Sequence, residues 1–332
     1  MEVERVQALS SLGLMELPEK FIRPVNERPE SSKAVEGVTV PVVSLSQPQE
    51  VVVKEVSVAA AEWGFFLITD HGIPAALIQR LKEVGEMFFM LPQQEKESNA
   101  NDPTVGKFEG YGTKMTKNHE EKLEWIDYFF HVMHPLSKVH HEFWPQNPPS
   151  YREVTEEYNK EMLRITDVVL QLLSEGLGLE EGKGLKSSLG EEEIELEMKI
   201  NMYPPCPQPE LALGVEAHTD MSAITILVPN EVAGLQVSKD NQWVAVDYLP
   251  NALFIHIGDQ IEVLSNGKYK SVLHRSLVNK EKTRMSWAVF CVPPHETMIG
   301  PIPKLVGDHN LPKFSTKTYA EYRHRKFNKL PQ

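Results

Sequence analysis

A closely spaced series of short β-like segments between Ile194 and Pro294 is the feature that most limits what this chain can fold into. The first segment, IELEMKINMY, alternates apolar and polar residues, as a strand with one buried face does. It is followed by SAITILVP, GLQVSK, QWVAVDY, NALFIHIG, SVLHRSLV and RMSWAVFCV. The breaks KDNQ, SNGK and NKEK consist of residues that favour tight turns. This spacing predicts an antiparallel sandwich or jelly roll.

Helical patterns flank the β-like region on both sides. VVVKEVSVAAAEWG predicts a helix that ends at Gly64, and FFLITDHG then predicts a short strand. Another helix is expected to begin at Pro74, because proline is favoured in the first turn. An apolar stripe with steps of three and four residues predicts a long helix near 150–176. TYAEYRHRKFNKL predicts a last helix close to the C-terminus.

The expected fold class is therefore α+β, mainly β, with a jelly-roll (double-stranded β-helix) core wrapped by N-terminal and C-terminal helices. We expect a mixed α and β region over 1–190, the core over 191–300 and a C-terminal helical segment over 301–332. The three parts are expected to form one structural unit.

Composition narrows the classes of partner. The net charge of −13 argues against a nucleic-acid partner, which would favour a basic face. No run approaches the ~20 apolar residues of a membrane span, and the N-terminus lacks the apolar core of a secretory signal. Cys206 and Cys291 are too few for a disulfide framework and fit a reducing compartment. A cytoplasmic protein is expected.

A candidate metal site begins in GVEAHTDMSAITILVPN, where His218 and Asp220 stand two residues apart. In a strand, residues i and i+2 point to the same face, so this spacing would project two metal ligands together. His274 in KSVLHRSLVN offers a third. Two histidines and one carboxylate with open positions are typical of non-haem Fe(II) oxygenases. His256 lies three residues before Asp259, on a different face, and is interpreted as a core or supporting histidine.

A candidate carboxylate-binding site follows ten residues after His274. Arg284 and Ser286 in TRMSW share one face of one predicted strand. A guanidinium grips a carboxylate with two parallel hydrogen bonds, and a serine hydroxyl adds a donor. Asn201 and Tyr203 share a face of the earlier strand and offer further hydrogen bonds. The pattern suits a dicarboxylic cosubstrate whose far end is held away from the metal.

The chain resembles the plant Fe(II)/2-oxoglutarate-dependent dioxygenases. The resemblance is carried by KINMYPPCPQPELALGVEAHTD, FIHIGDQIEVLSNGKYKSVLHR and TRMSW. MEVERVQALSSL, FEGYGTKM, FWPQNPPSYREV and RKFNKLPQ are similar to flavonol synthases, with anthocyanidin synthases (leucoanthocyanidin dioxygenases) as the nearest alternative. The resemblance spans nearly the whole chain.

The resemblance implies roles for particular residues. His218, Asp220 and His274 match the iron ligands, and Arg284, Ser286, Asn201 and Tyr203 match the residues that hold 2-oxoglutarate. Tyr128, Phe130, Lys199 and Phe290 fall where flavonoid-acting members line the substrate pocket. Tyr128 is more like an anthocyanidin synthase, since flavonol synthases usually carry histidine there.

One substrate position departs from the family pattern. Flavonoid enzymes normally carry an acidic residue in a pattern like F-x-E-P-P, but this chain reads FCVPP and places Val292 there. A valine cannot accept a hydrogen bond from a phenol, and such a charge-assisted contact contributes roughly 1.5–3 kcal/mol. The loss is expected to weaken flavonoid binding or re-aim the ring without abolishing turnover.

The implied activity is oxidation of a flavonoid ring, with Fe(II), 2-oxoglutarate, dioxygen and ascorbate as reductant. Desaturation of dihydroflavonols is the first expectation. Oxidation of leucoanthocyanidins or catechins, or hydroxylation of a different aromatic plant metabolite, are the alternatives. A monomer acting on a small aromatic molecule is expected. A zinc hydrolase and a non-catalytic jelly-roll binding protein are rival classes, but neither needs Arg284 and Ser286 in this arrangement.

Overall fold

The computed structural model describes residues 4–29, 35, 38–114, 122–180 and 184–332. Met115, which ends the motif FEGYGTKM, lies outside the described residues, as do short stretches of the region predicted over 1–190.

Eight α-helices occur in the described part of the chain. Their bounds are α1 Val6–Ser11, α2 Gln49–Glu62, α3 Ala75–Met90, α4 Gln93–Ser98, α5 Tyr151–Gly176, α6 Leu185–Ser188, α7 Asp259–Leu264 and α8 Tyr319–Phe327. The predicted helices correspond to α2, α3, α5 and α8 and are confirmed. Gly64 follows α2 with a φ of +66°, and a Cβ there would lie 2.3 Å from the Lys270 carbonyl oxygen, so the chain turns where only glycine fits.

Fourteen strands occur in the same described residues. Their bounds are β1 Val42–Ser44, β2 Phe65–Thr69, β3 Gly110–Thr113, β4 Asp127–His134, β5 Glu195–Tyr203, β6 Val215–His218, β7 Ile224–Pro229, β8 Leu235–Lys239, β9 Gln242–Ala245, β10 Leu253–Ile257, β11 His274–Ser276, β12 Arg284–Val292, β13 Met298–Ile299 and β14 Lys317–Thr318. Each of the seven β-like segments in the sequence contains one of these strands.

Two sheets face each other to form the core. The larger sheet has the order β1-β2-β10-β7-β12-β5-β4-β3, and the smaller has the order β6-β11-β8-β9. Apolar side chains from both sheets meet between them: Phe65, Leu67, Leu227, Leu235, Val237, Val244, Phe254 and Ala288. The predicted jelly-roll core is confirmed.

Strands from the N-terminal part of the chain extend the larger sheet at both edges. β1 and β2 lie at one edge, and β4 and β3 lie at the other. The sequence interpretation missed β4, although its side chains alternate between buried and partly exposed along its whole length. The division of the chain near residue 190 stays a prediction.

The long helix α5 packs against α2, α3 and β4 on the outside of the larger sheet. Its predicted apolar stripe is buried: Val154, Tyr158, Met162, Ile165, Val169 and Leu172. No helix within the described ranges is both long and apolar enough to span a bilayer.

Truncating the buried stripe of α5 should destabilise the fold. Met162 is fully buried, so Met162→Ala is expected to lower the free energy of unfolding by about 2–5 kcal/mol through lost contacts and a residual cavity. Lys160→Ala, on the exposed face of the same helix, serves as the control and should change it by less than about 0.5 kcal/mol. Urea-induced unfolding measures both. Equal stability of the two variants would contradict the packing described for α5.

Candidate active site

The predicted metal ligands converge at one end of the smaller sheet. His218 ends β6 and His274 begins β11, and the two residues are direct partners in the antiparallel register. Asp220 Oδ1 lies 3.5 Å from His218 Nε2 and 3.8 Å from His274 Nε2. One donor atom from each residue lies within 4.8 Å of the others. This is the only such group of three among the described residues.

The spacing of His218 and Asp220 predicts that both lie on one strand, but β6 ends at His218 and Asp220 lies in the turn before β7. The turn, rather than a shared strand face, brings the carboxylate to the two imidazoles.

Backbone hydrogen bonds fix the orientation of both imidazoles. His218 Nδ1 donates to the Glu216 carbonyl at 2.8 Å, and His274 Nδ1 donates to the Val272 carbonyl at 3.1 Å. Because a carbonyl only accepts, the proton belongs on Nδ1 and the Nε2 lone pair faces Asp220. This tautomer is the one in which Nε2 ligates a metal.

Thr225 and His256 support the Asp220 carboxylate from behind. Thr225 Oγ1 donates to Asp220 Oδ2 at 2.6 Å, which leaves Oδ1 directed at the histidines. His256 Nδ1 lies 3.8 Å from Asp220 Oδ2, and its ring packs edge-on against His274 with centroids 4.5 Å apart. His256 is buried, as the sequence predicted, while the supporting role of Thr225 was missed.

Burial and mutual charge shift the pKa values of Asp220 and of the three histidines around it. Burial alone would raise the pKa of Asp220, but the His274 and His218 imidazoles hold it well below its usual range. Burial and the neighbouring His218 lower the pKa of His274 well below its usual value. Burial also lowers the pKa of His256, to about 4. At His218, burial opposes the charged form, but the Asp220 carboxylate outweighs it and raises the pKa. An ionised carboxylate among imidazoles is a donor set that fits Fe(II).

The predicted carboxylate site lies on the larger sheet, with its four residues on one face of two paired strands. Arg284 of β12 pairs with Tyr203 of β5, and Ser286 pairs with Asn201. Asn201 Nδ2 donates to Ser286 Oγ at 3.3 Å, and the Arg284 guanidinium lies 4.8 Å above the Tyr203 ring. The structure therefore brings these four residues together as predicted.

Arg284 is a buried cation that has no carboxylate partner among the residues that the structure describes. Its side chain is 1% exposed, and no ion pair to it occurs in the described part of the chain. Nη1 donates to Ser276 Oγ at 3.3 Å, to which Tyr203 also donates at 3.4 Å, while Nε has no partner. An unpaired buried charge costs several kcal/mol, so the site fits an anionic ligand. Ser276 was missed, although it stands two residues after His274 and so shares its strand face.

A cavity of about 380 Å³ opens beside the predicted metal ligands. Of the predicted substrate residues, Phe130, Lys199, Phe290 and Val292 line it together with His218 and Asp220. Tyr128 is not among the lining residues. Its hydroxyl accepts a hydrogen bond from Asn101 at 3.0 Å, and its ring lies under the Lys199 ammonium at 4.4 Å.

The sequence interpretation missed the contribution of α8 to this cavity. Arg323 and Lys326 line it together with residues of β5 and β12. Lys326 Nζ donates to both oxygens of Thr219, at 2.9 Å to the carbonyl and 2.6 Å to the hydroxyl, and also to the Asp259 carboxylate. Thr219 stands between His218 and Asp220, so the C-terminal helix is tied directly to the loop of the metal ligands.

Comparisons with known proteins agree with this geometry. The model of the 2OG-Fe(II) oxygenase superfamily matches residues 195–293, and that of the N-terminal region of non-haem dioxygenases in morphine synthesis matches residues 40–149. Flavonol synthase 1 of Crocosmia x crocosmiiflora is 54% identical, and the alignment covers all of both chains. The chain belongs to the 2OG-Fe(II) oxygenase superfamily.

Further relatives place this oxygenase within the superfamily. Flavonol synthase/flavanone 3-hydroxylase of Arabidopsis thaliana is 53% identical over 100% of this chain and 99% of the relative. Leucoanthocyanidin dioxygenase of Perilla frutescens is 45% identical over 98% of this chain and 94% of the relative. The crystal structure of JOX2 in complex with 2OG, Fe and JA superposes with a TM-score of 0.91 at 37% identity, covering 100% of this chain and 96% of JOX2.

The oxygenase is thus an oxidoreductase that uses Fe(II) and 2-oxoglutarate. Family membership and the unpaired Arg284 favour it over the zinc hydrolase and the non-catalytic binding protein. The donor set and the tautomers described above fit Fe(II).

Removing the hydroxyl of Thr225 should weaken metal binding. In Thr225→Val the Asp220 carboxylate loses the hydrogen bond that directs Oδ1, and the affinity for Fe(II) is expected to fall about 10- to 100-fold. Thr166→Val, a buried threonine of α5 whose hydroxyl has no partner, is the isosteric control. Anaerobic calorimetric titration with Fe(II) measures the affinity. A Thr225→Val variant that binds as tightly as Thr166→Val would overturn this account of Asp220.

Proposed function

We propose that this oxygenase is a flavonol synthase that desaturates dihydroflavonols. The observation that carries the proposal is the end-to-end sequence identity of 54% and 53% to two flavonol synthases, compared with 45% to a leucoanthocyanidin dioxygenase. The substrate is a small flavonoid, and the cavity beside the metal ligands suits an aromatic molecule.

His218, Asp220 and His274 would hold Fe(II) through two Nε2 atoms and one carboxylate oxygen. With only three protein ligands, the metal would keep positions open to small molecules. Bound Fe(II), together with 2-oxoglutarate and dioxygen, supplies the oxidising chemistry that removes hydrogen from a substrate carbon.

Arg284 and Ser286 would hold the carboxylate of 2-oxoglutarate that lies away from the metal. The proposal is supported by the missing counterion of Arg284 and by the hydrogen bonds through which Asn201 and Tyr203 orient Ser286 and Ser276. The guanidinium compensates the charge, and the fork geometry fixes the direction of the cosubstrate.

Phe130 and Phe290 would flank the aromatic rings of the substrate. Both line the cavity, Phe130 from β4 and Phe290 from β12, with β5 between these two strands. Aromatic faces exclude water and restrict the tilt of a bound ring. Lys199 lies between them on β5 and offers an ammonium donor to a substrate oxygen. Tyr128 would act by positioning the Lys199 ammonium, through the ring contact.

The overall reaction balances as one desaturation per 2-oxoglutarate. The dihydroflavonol loses two hydrogens, and 2-oxoglutarate is oxidatively decarboxylated to succinate and carbon dioxide. One atom of dioxygen enters succinate, and the other leaves with the two hydrogens as water. Ascorbate would keep the metal reduced between turnovers.

Oxidation of leucoanthocyanidins or catechins is the second candidate. One residue favours it, because the tyrosine at position 128 is more like the anthocyanidin synthases than the flavonol synthases. Hydroxylation of another aromatic plant metabolite is the third, since Val292 lines the cavity where an acidic residue is usual. We also propose that the protein is a monomer and that it is cytosolic. The proposed compartment agrees with two buried, unbridged cysteines.

Product analysis by mass tests the activity. The purified protein, supplied with Fe(II), ascorbate and 2-oxoglutarate, should convert dihydroquercetin to a product lighter by two hydrogens. Naringenin, leucocyanidin and catechin, offered separately, test the alternatives. His218→Ala should abolish turnover, while His324→Ala, an exposed histidine of α8, should not. Conversion of leucocyanidin or catechin without conversion of dihydroquercetin would replace the first candidate by the second.

Replacing Arg284 tests the proposed cosubstrate site. Arg284→Met removes the guanidinium and should raise the KM for 2-oxoglutarate at least about tenfold, because charge-assisted hydrogen bonds contribute roughly 1.5–3 kcal/mol each. The control is Arg80→Met, which removes a surface arginine paired with Glu157. Initial rates at varied 2-oxoglutarate give the KM. An unchanged value in Arg284→Met would place the far carboxylate elsewhere.

A further inference from the structure

Glu197 is a carboxyl that faces the cavity beside Val292. It lies on β5 opposite Phe290 of β12, while Val292 pairs with Glu195, two residues earlier on β5. Glu197 and Val292 are therefore diagonal neighbours on the same face of the sheet, and both line the cavity. Neither the metal site nor the carboxylate site uses Glu197.

Among the described residues, Glu197 has no partner for its carboxylate, unlike the other acidic residues of the cavity wall. Glu216 pairs with Arg23 at 2.7 Å, Glu124 pairs with Lys114 at 2.8 Å, and Asp220 accepts from Thr225. In the described ranges, no side chain donates a hydrogen bond to Glu197 or forms an ion pair with it. A carboxyl left without a donor in a cavity costs free energy, which a ligand hydroxyl would recover.

The electrostatic surroundings agree with an unsatisfied acceptor. Burial raises the pKa of Glu197 to about 7, and the nearby Arg323 on α8 opposes that rise only in part. Arg323 is engaged elsewhere, since its Nη1 lies 3.0 Å from His295 Nε2. The cationic side chains of Lys199, Arg323 and Lys326 line the same cavity and would repel a cationic ligand. A neutral hydroxyl donor fits this environment better.

The position of Glu197 sets the span of the ligand. Thr225 on β7, Phe290 on β12 and Glu197 on β5 occupy one row across three adjacent strands. Two strand spacings separate Thr225 from Glu197, on the order of 10 Å. Since Thr225 holds Asp220, a flavonoid whose reacting ring lies at the metal ligands can extend its pendant aromatic ring past Phe290 to Glu197.

We propose that Glu197 determines substrate specificity by accepting a hydrogen bond from a phenolic hydroxyl on the pendant ring, in place of the acidic residue missing at position 292. This inference rests on the proposed flavonoid substrate. The binding contribution lost at Val292 is supplied from the neighbouring strand.

The test compares two ligands: dihydroquercetin, and the same dihydroflavonol without hydroxyls on the pendant ring. Glu197→Met removes the carboxyl at similar volume, and Glu197→Met/Val292→Glu moves a carboxyl to the diagonal position. Glu195→Gln is the control, because Glu195 stands on the same strand, pairs with Lys138 at 2.6 Å and does not line the cavity. Anaerobic calorimetry on protein loaded with Fe(II) and 2-oxoglutarate gives Kd, and initial rates give KM and kcat.

Glu197→Met should raise the Kd and KM for dihydroquercetin about tenfold or more, and those for the unhydroxylated ligand by less than about twofold. The kcat should stay within about twofold, since Glu197 contacts no metal ligand. The double variant should recover most of the lost affinity, and Glu195→Gln should behave as the wild type.

Two results overturn the inference: equal changes for both ligands in Glu197→Met, or no difference between the two ligands in the wild type. The proposed activity fails separately. If the wild type binds dihydroquercetin without oxidising it, the desaturase proposal falls. The calorimetric comparison still decides the role of Glu197.

Discussion

The antiparallel register of β12 against β5 is the constraint on which the arrangement of both ligand sites on the larger sheet depends. It sets Arg284 opposite Tyr203, Ser286 opposite Asn201 and Phe290 opposite Glu197. Because side chains alternate between the two faces of a sheet, a slip of β12 by one residue would turn Arg284, Ser286 and Phe290 to the opposite face. β12 lies between β7 and β5, so pairing on both edges holds the register. The residues proposed to hold the cosubstrate and the substrate thus share one pair of strands.

The three proposed metal ligands depend on a second register, which lies in the smaller sheet. His218 and His274 face each other across β6 and β11, and their Nδ1 atoms are held by the backbone of their own strands. Asp220 needs the turn after β6, and that turn is held by Thr225 from the larger sheet and by Lys326 from α8. The site therefore joins both sheets and the C-terminal helix, so its geometry forms only with the complete tertiary structure.

Much of the candidate site could be predicted from the sequence, because the alternation of side chains along a strand is a local property. Alternation in IELEMKINMY and RMSWAVFCV places Asn201, Tyr203, Arg284 and Ser286 on definite faces, and the structure pairs them. The contribution of Thr225 to the site, by contrast, depends on how a turn folds back onto a neighbouring strand. Arg323 and Lys326 reach the cavity from α8, which lies about a hundred residues after Asp220 along the chain. Glu197 lies on the same face of β5 as Asn201 and Tyr203, which the alternation predicts. Its proposed role in substrate binding could be inferred only from the structure, where no described side chain pairs with its carboxylate.

The unpaired Arg284 also has a consequence for the abundance of the protein. A dicarboxylate that neutralises this buried charge binds the folded chain and not the unfolded one, so it adds stability by mass action, about 2.7 kcal/mol when present at a hundred times its Kd. The unfolded fraction exposed to proteases would then shrink as 2-oxoglutarate accumulates. The lifetime of the enzyme, and not only its turnover, would follow the supply of a central carbon metabolite.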